Sequence, residues 1–239
     1  IKDGYAAKLE YPLEEDSVTH AAKRLAYVYE KYLADKSGKV YLSIVPDKSY
    51  FLAGEDYLSM DYNRLIELMR QGMPFAEYID IIGTLDISDY YKTDTHWRQE
   101  KIPDTAARLA AAMGASLSGQ YTQNKLDRPF HGVYYGQSAM PLPGEEIVYL
   151  TNSVLDGCIA TDHESGTVGG LYDMDKAAGK DPYELFLSGA LPLSLIHILP
   201  LPTNREVGSP VGAGTVKIKN NKMHFKWNYE APTPEQEKT

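Results

Sequence analysis

Asp94 and His96 are the two residues of this chain best placed by type and spacing to do chemistry together. They lie in Tyr-Tyr-Lys-Thr-Asp-Thr-His-Trp, residues 90–97. In an extended segment, side chains two apart leave the backbone on the same side, so the carboxylate and imidazole would face one cleft. A carboxylate that accepts from one ring nitrogen fixes the tautomer and leaves the other nitrogen to take a proton from a hydroxyl. Serine acyl-transfer chemistry needs a general base of that kind. Taken by itself, the triplet also fits a surface turn with a hydrogen-bonded histidine.

The other ionisable clusters point to less. Asp162, His163 and Glu164 are compact, but their spacing fits no known metal-ligand frame and reads as a loop. The Gly-Thr-Val-Gly-Gly stretch at 166–170 lacks the Lys-Ser/Thr that a phosphate loop requires. No metal or cofactor is therefore expected. His20 reads as a solvent-facing helical residue and His131 as a hydrogen-bonded structural one, while His197 and His224 fall late in the chain.

The elements that must position the pair follow from periodicity. Val18, Ala21, Leu25, Val28 and Tyr32 recur at spacings of three and four, which predicts a helix over 17–33. Asp16 or Ser17 is its N-cap and Gly38 a stop beyond it. Residues 39–46 read as a buried strand ending at Pro46, and residues 78–82 as another. Helices are predicted over 62–71 and 102–113, the latter with Pro103 in its first turn and Gly114 past its end. Strands alternating with helices indicate an α/β domain with a mostly parallel sheet. Farther on, 133–135 and 147–151 read as strands, 163–170 as a glycine-rich turn region and 182–187 as a short helix.

Four segments in order resemble the DHHW family and the related alginate O-acetyltransferases of the AlgX and AlgJ kind. They are Ile-Val-Pro-Asp-Lys-Ser-Tyr-Phe-Leu at 44–52, the stretch at 90–97, Phe-His-Gly-Val-Tyr-Tyr-Gly-Gln-Ser-Ala-Met at 130–140, and Asp-Pro-Tyr-Glu-Leu-Phe-Leu-Ser-Gly-Ala-Leu-Pro-Leu at 181–193. Thr95 stands between Asp94 and His96 as in the acetyltransferases, where DHHW proteins carry a histidine. The resemblance runs from about Gly4 to Leu193. It implies a three-layer SGNH-like (flavodoxin-like) fold, incomplete on its C-terminal side, in which Asp-x-His precedes the nucleophilic serine. Asp94 would then orient His96. Lys48, Tyr91 and Trp97 are the possible substrate-cleft residues. Lys48 reads equally as a solvated residue capping its strand, Trp97 as a packed indole, and Tyr90 and Tyr91 as core and rim. The substrate class implied is a carbohydrate polymer or a small acyl ester, and the setting is exported or cell-envelope associated.

The family's serine, in a later Asp-Ser-Tyr-like motif, has no counterpart in this sequence; Ser43, Ser49, Ser138 and Ser188 all have ordinary contexts. Residues 193–198, Leu-Ser-Leu-Ile-His-Ile, match the translation of CTG TCT CTT ATA CAC ATC, the end sequence of transposase-prepared sequencing libraries, the alternative being a natural apolar loop. The chain is thus expected to comprise a partial domain over 1–192 and a chimeric tail over 193–239 carrying a β-hairpin at 216–227. The rival expectation is a non-catalytic envelope module that binds carbohydrate or assists assembly.

Composition narrows the classes. The 239 residues carry 33 acidic against 24 basic side chains, a net charge of −9, and no basic run, which excludes a nucleic-acid binder. One cysteine, Cys158, permits no intrachain disulfide. No stretch reaches the roughly 18 apolar residues of a membrane span.

Overall fold

The computed structural model describes residues 1–54, 57–117, 119–138, 141–161, 168–186, 214–219 and 222–227, the backbone alone for 137–138, 214–219 and 222–227. The chain forms two compact units, Ile1–Leu150 and Thr151–Thr239.

In the first unit, helix α1 (Glu15–Tyr32) follows the predicted stripe, with Val18, Ala21, Leu25 and Val28 half-buried and Ala22 sealed. Its cap is Glu14, without a side-chain hydrogen bond, rather than Asp16 or Ser17. Asp16 instead lies with Glu15 in the first turn, where carboxylates complement the helix dipole. Tyr32 is exposed, and His20 faces solvent as read from the sequence. Strand β1 (Val40–Leu42) leads through the short helix α2 (Ser49–Leu52) to α3 (Tyr62–Gly72) and strand β2 (Ala76–Tyr78). Asp61 caps α3 by accepting the Arg64 N–H at 2.9 Å. A Cβ on Gly72 would stand 2.5 Å from the Ala22 Cβ, so the absence of a side chain is what lets α3 approach α1. β1 and β2 pair in parallel, Val40 opposite Ala76 and Leu42 opposite Tyr78, as a strand–helix–strand crossover requires.

The strand expected over 78–82 begins and ends earlier. Asp80 turns its carboxylate back to accept the Ile82 N–H at 2.9 Å, and the chain continues into a 3-10 turn at Ile82–Thr84. Ile79 and Ile81 are still buried, so the apolar run marks the core correctly but not as a strand. Helix α4 (Pro103–Ala112) has Pro103 at its start and Gly114 beyond its end at φ +77°, a conformation that suits glycine. Strand β3 (Thr122–Phe130) pairs with β4 (Glu145–Thr151), and between them lies helix α5 (Val133–Ser138) where a strand was expected. Tyr90, Tyr91, Phe130, Ile147 and Val148 join Ile79 and Ile81 in the core.

In the second unit, α6 (Ser153–Asp156) is capped by Asn152, and α7 (Met174–Ala177) by Asp173. Strands β5 (Ala160–Thr161) and β6 (Val168–Gly169) are antiparallel. The helix expected near 182 is a 3-10 turn, Pro182–Phe186, with Leu185 fully buried. Strands β7 (Gly214–Lys219) and β8 (Lys222–Trp227) form the predicted antiparallel hairpin, closing at Lys219 opposite Lys222.

The architecture is mixed α/β, with seven α-helices and four two-stranded sheets among the described residues. It differs from the expected continuous, mostly parallel three-layer sheet. Only β1–β2 is shown to be parallel, and its strands are three residues long. No described helix is long and apolar enough to cross a membrane. The 162–164 cluster, the side chain of Ser138, Ser188, the 193–198 stretch, His197 and the side chain of His224 lie outside what is described.

Candidate active site

The stretch 90–97 is a closed loop rather than an extended strand. Tyr90 and Trp97 bridge at its base; the Tyr91 N–H reaches the His96 carbonyl at 3.2 Å, and the Arg98 N–H reaches the Asp89 carbonyl at 2.7 Å. Asp94 and His96 meet through a turn: Asp94 Oδ1 accepts the backbone N–H of His96 at 3.0 Å and also bonds its ring Nδ1. The two groups are together as expected, for a different backbone reason. Short polar side chains that fold back onto the amide two residues ahead make such turns.

The second carboxylate oxygen, Oδ2, accepts the Val133 N–H at 2.8 Å. Asp94 is wholly buried, whereas the His96 side chain keeps 34% of its exposure. Burial pushes the Asp94 carboxyl up, but the hydrogen bonds from His96 and Val133 outweigh it and hold the group below the ordinary carboxylate range. The pair thus joins an ionised, fixed acceptor to an imidazole that reaches solvent. With Nδ1 donating to Asp94, the basic lone pair is on Nε2.

Around this pair the loop is held from three directions. Glu145, at the start of β4, accepts the Lys92 N–H at 2.7 Å through one oxygen. Its other oxygen takes the Thr93 N–H at 2.8 Å and the Thr93 hydroxyl at 2.7 Å. The Gly132 N–H donates to Thr93 Oγ1 at 2.9 Å and the Tyr134 N–H to the Thr93 carbonyl at 2.9 Å. Amides at the start of α5 therefore find their acceptors in the loop, which caps that helix from outside. Gly132 is obligatory at this contact: a Cβ would lie 2.2 Å from the Asp94 Cβ and 2.5 Å from the Thr93 carbonyl oxygen.

The third grip is Lys48. Its ammonium donates to the carbonyls of Tyr91 (2.7 Å), Lys92 (3.0 Å) and Asp94 (2.6 Å) and lies 5.0 Å from the centre of the Tyr134 ring. The residue has no exposed surface, so it is neither a cleft wall nor a solvated strand cap. Burial pushes its pKa down to about 8, against the pull of Glu145, Asp47 and Asp94. Tyr91 is equally buried, edge-on to Phe130 at 5.0 Å and under the Arg98 guanidinium at 5.6 Å. Trp97 is half-buried and meets Tyr90 edge-on at 6.3 Å, in line with a packed indole. Tyr90, held protonated by burial, donates to the Pro46 carbonyl at 2.6 Å and ties the loop's base to the turn carrying Lys48. Of the residues selected from the sequence, Asp94 and His96 form the centre, and Lys48 and Tyr91 lie sealed beneath it.

Ser43 donates to the Ile79 carbonyl at 2.8 Å, and Ser49 is fully buried; both are structural. His131 stacks obliquely on Tyr135 at 4.4 Å. Among the described residues no group of three His, Cys, Asp or Glu side chains is arranged to hold a metal. Glu145, Thr93, Gly132 and Val133 were not singled out in the sequence. Thr93, Gly132 and Val133 nonetheless lie within two of the four family-like segments, whereas Glu145 lies in none of them.

No family model matches the chain, and no curated protein sequence is similar to it. Solved structures are similar in fold. A DHHW family protein from Eubacterium siraeum superposes with a TM-score of 0.61 at 16% identity, over 79% of this chain and 66% of that one. Bacillus cereus PatB1 gives a TM-score of 0.53 at 14% identity, over 78% of this chain and 70% of its own. Its form with a sulfonyl adduct gives 0.53 at 16% identity, over 74% and 66%. The described chain thus shares its fold with a DHHW protein and spans 66% of that protein's length.

Proposed function

We propose that this domain belongs to an exported or cell-envelope O-acyltransferase or esterase, acetyl being the favoured acyl group and carbohydrate the favoured acceptor. In this reading the fold is the SGNH-like three-layer arrangement, completed by sequence outside residues 1–192. A serine hydroxyl attacks the ester carbonyl. His96 Nε2 takes the hydroxyl proton and returns it to the leaving alcohol, Asp94 steadies the imidazolium between the two steps, and backbone N–H groups beside the serine bind the oxyanion. The acyl-serine then passes its acyl group to water or to a sugar hydroxyl by the same steps in reverse.

One observation carries this reading. The Asp94 carboxylate is buried, bound to His96 Nδ1 on one oxygen and pinned by the Val133 amide on the other, while the imidazole reaches solvent. The fold shared with a DHHW protein and with PatB1, the latter also solved with a sulfonyl adduct, supports it.

The test begins with re-amplification of the source DNA across the codons for 193–198, followed by expression of the uninterrupted gene. A serine in a later strand-to-turn motif is expected. Hydrolysis of 4-nitrophenyl acetate should fall about a thousandfold on His96→Ala. Turnover indifferent to that substitution would remove the mechanism, and a gene with no such serine would leave the carbohydrate-binding module. The 239-residue chain itself is expected to be inert towards the same ester.

A further inference from the structure

We propose that Lys48 is a positioning residue whose ammonium, by gathering the carbonyls of Tyr91, Lys92 and Asp94, holds the loop in the one arrangement that turns the Asp94 carboxylate onto His96. This role rests on Asp94 and His96 being the working pair of the function proposed above.

A loop closed at its base by Tyr91 and His96 still has freedom at its tip, and the tip is where Asp94 stands. Three carbonyls pointing inward at one locus repel one another unless a cation sits among them. Lysine supplies three donors on a compact head, and all three are used: 2.7, 3.0 and 2.6 Å. The fourth side of the ammonium is the Tyr134 ring, 5.0 Å away, which suits a cation electrostatically. Lys48 therefore occupies the place that a bound metal ion takes in other loop sites, with a covalent tether in place of an entry path.

The tether is stiff. The Lys48 carbonyl accepts the Phe51 and Leu52 amides at 3.1 and 3.2 Å, the Asp47 carboxylate accepts the Ser49 N–H at 2.8 Å, and the Asp47 N–H donates to the Tyr62 hydroxyl at 2.8 Å. Glu145 acts on the same loop from the other side and through the opposite groups, taking two amides and a hydroxyl. Carbonyls go to a cation and amides to an anion. The bond from Lys48 to the Asp94 carbonyl is the telling one, because the same residue's carboxylate holds the histidine. No atom of Lys48 need touch substrate.

The test reads the pair directly and needs no substrate, so it stands or falls separately from acyl transfer. In the unaltered 239-residue chain, nitrogen-detected NMR should show a slowly exchanging Nζ signal for Lys48, with correlations through its hydrogen bonds to the carbonyl carbons of Tyr91, Lys92 and Asp94. Absence of that signal overturns the proposal even if every variant fails to fold. Lys48→Met should lose the far-downfield Nδ1 proton of His96 and speed amide exchange at His96 and Val133 at least tenfold, leaving α4 unchanged. A variant with Lys48→Cys and Cys158→Ser should regain both readouts after aminoethylation, which restores an ammonium, but not after carbamidomethylation, which adds a neutral amide. Retention of the His96 signal in folded Lys48→Met, or equal rescue by both adducts, overturns it.

Discussion

Two charged clusters in the first unit have similar bonds and opposite surroundings. On the surface, Arg64 clasps α1 to its own helix α3: Nε and one terminal nitrogen reach Glu15 at 3.0 and 2.8 Å, and the other reaches Glu67 at 2.8 Å. Towards the interior, the sealed Lys48 and Asp94 and the half-buried Glu145 fix the loop through bonds of 2.6–3.0 Å. If the Arg64 clasp breaks, water takes over each bond, because all three side chains are well exposed. If the interior cluster breaks, the Tyr91 and Asp94 carbonyls and the Val133 amide stay buried without water to replace the lost partner, whereas the Lys92 amide at Glu145 lies at an exposed residue. Distances alone would rank the two alike, and solvent access separates them.

The largest effect should come from Gly132→Ala. Its Cβ would meet backbone and Cβ atoms that cannot swing away. A loss of about 3 kcal/mol in urea unfolding is expected, and a variant as stable as the parent would show that the loop has more slack than its bonds suggest. Glu145→Gln comes next, at about 2 kcal/mol, since the new amide turns a donor towards donors. A neutral result there would make the interior cluster resemble the surface one.

The pH dependence sharpens the contrast at both ends. Asp94 sits below its unfolded value of 3.8, so its contribution is complete above that value and lost as acid protonates it. Lys48 goes the other way. Between its folded value of about 8 and its ordinary 10.5, the unfolded chain holds a proton that the folded one has released, so stability from this group rises with pH across that window. Urea midpoints should show the alkaline rise in the parent and not in Lys48→Met. The smallest effect is Arg64→Met, for which the melting temperature should move no more than its measurement error. A clear drop would place the surface clasp on a par with the interior one.

What could be read from the sequence was type and order more than geometry. Asp94 and His96 were identifiable as partners, yet their spacing suggested a strand, whereas an aspartate that bonds the amide two residues on makes a turn. Helices α1, α3 and α4 announced themselves because their apolar spacing is a local property. Strand β3 did not. Its inward-leaning positions are Asn124, Leu126, Arg128 and Phe130, a true alternation masked by two polar residues and followed across Pro129. Val133 and its neighbours looked like a strand from their side chains, and became α5 because Thr93 and Asp94, about 39 residues earlier, accept the amides at its start. The role of Lys48 depended on carbonyls 43 to 46 positions away, which no local pattern encodes.

Thr95 is exposed, like Lys92, and stands between a sealed aspartate and a half-open histidine. Every bond that shapes the ring comes from its neighbours, so the middle letter of the triplet is spectator chemistry, open to exchange without disturbing what flanks it. A fluorophore or spin label attached at that position would ride on a rigid frame one residue from the imidazole and would sense a ligand arriving there.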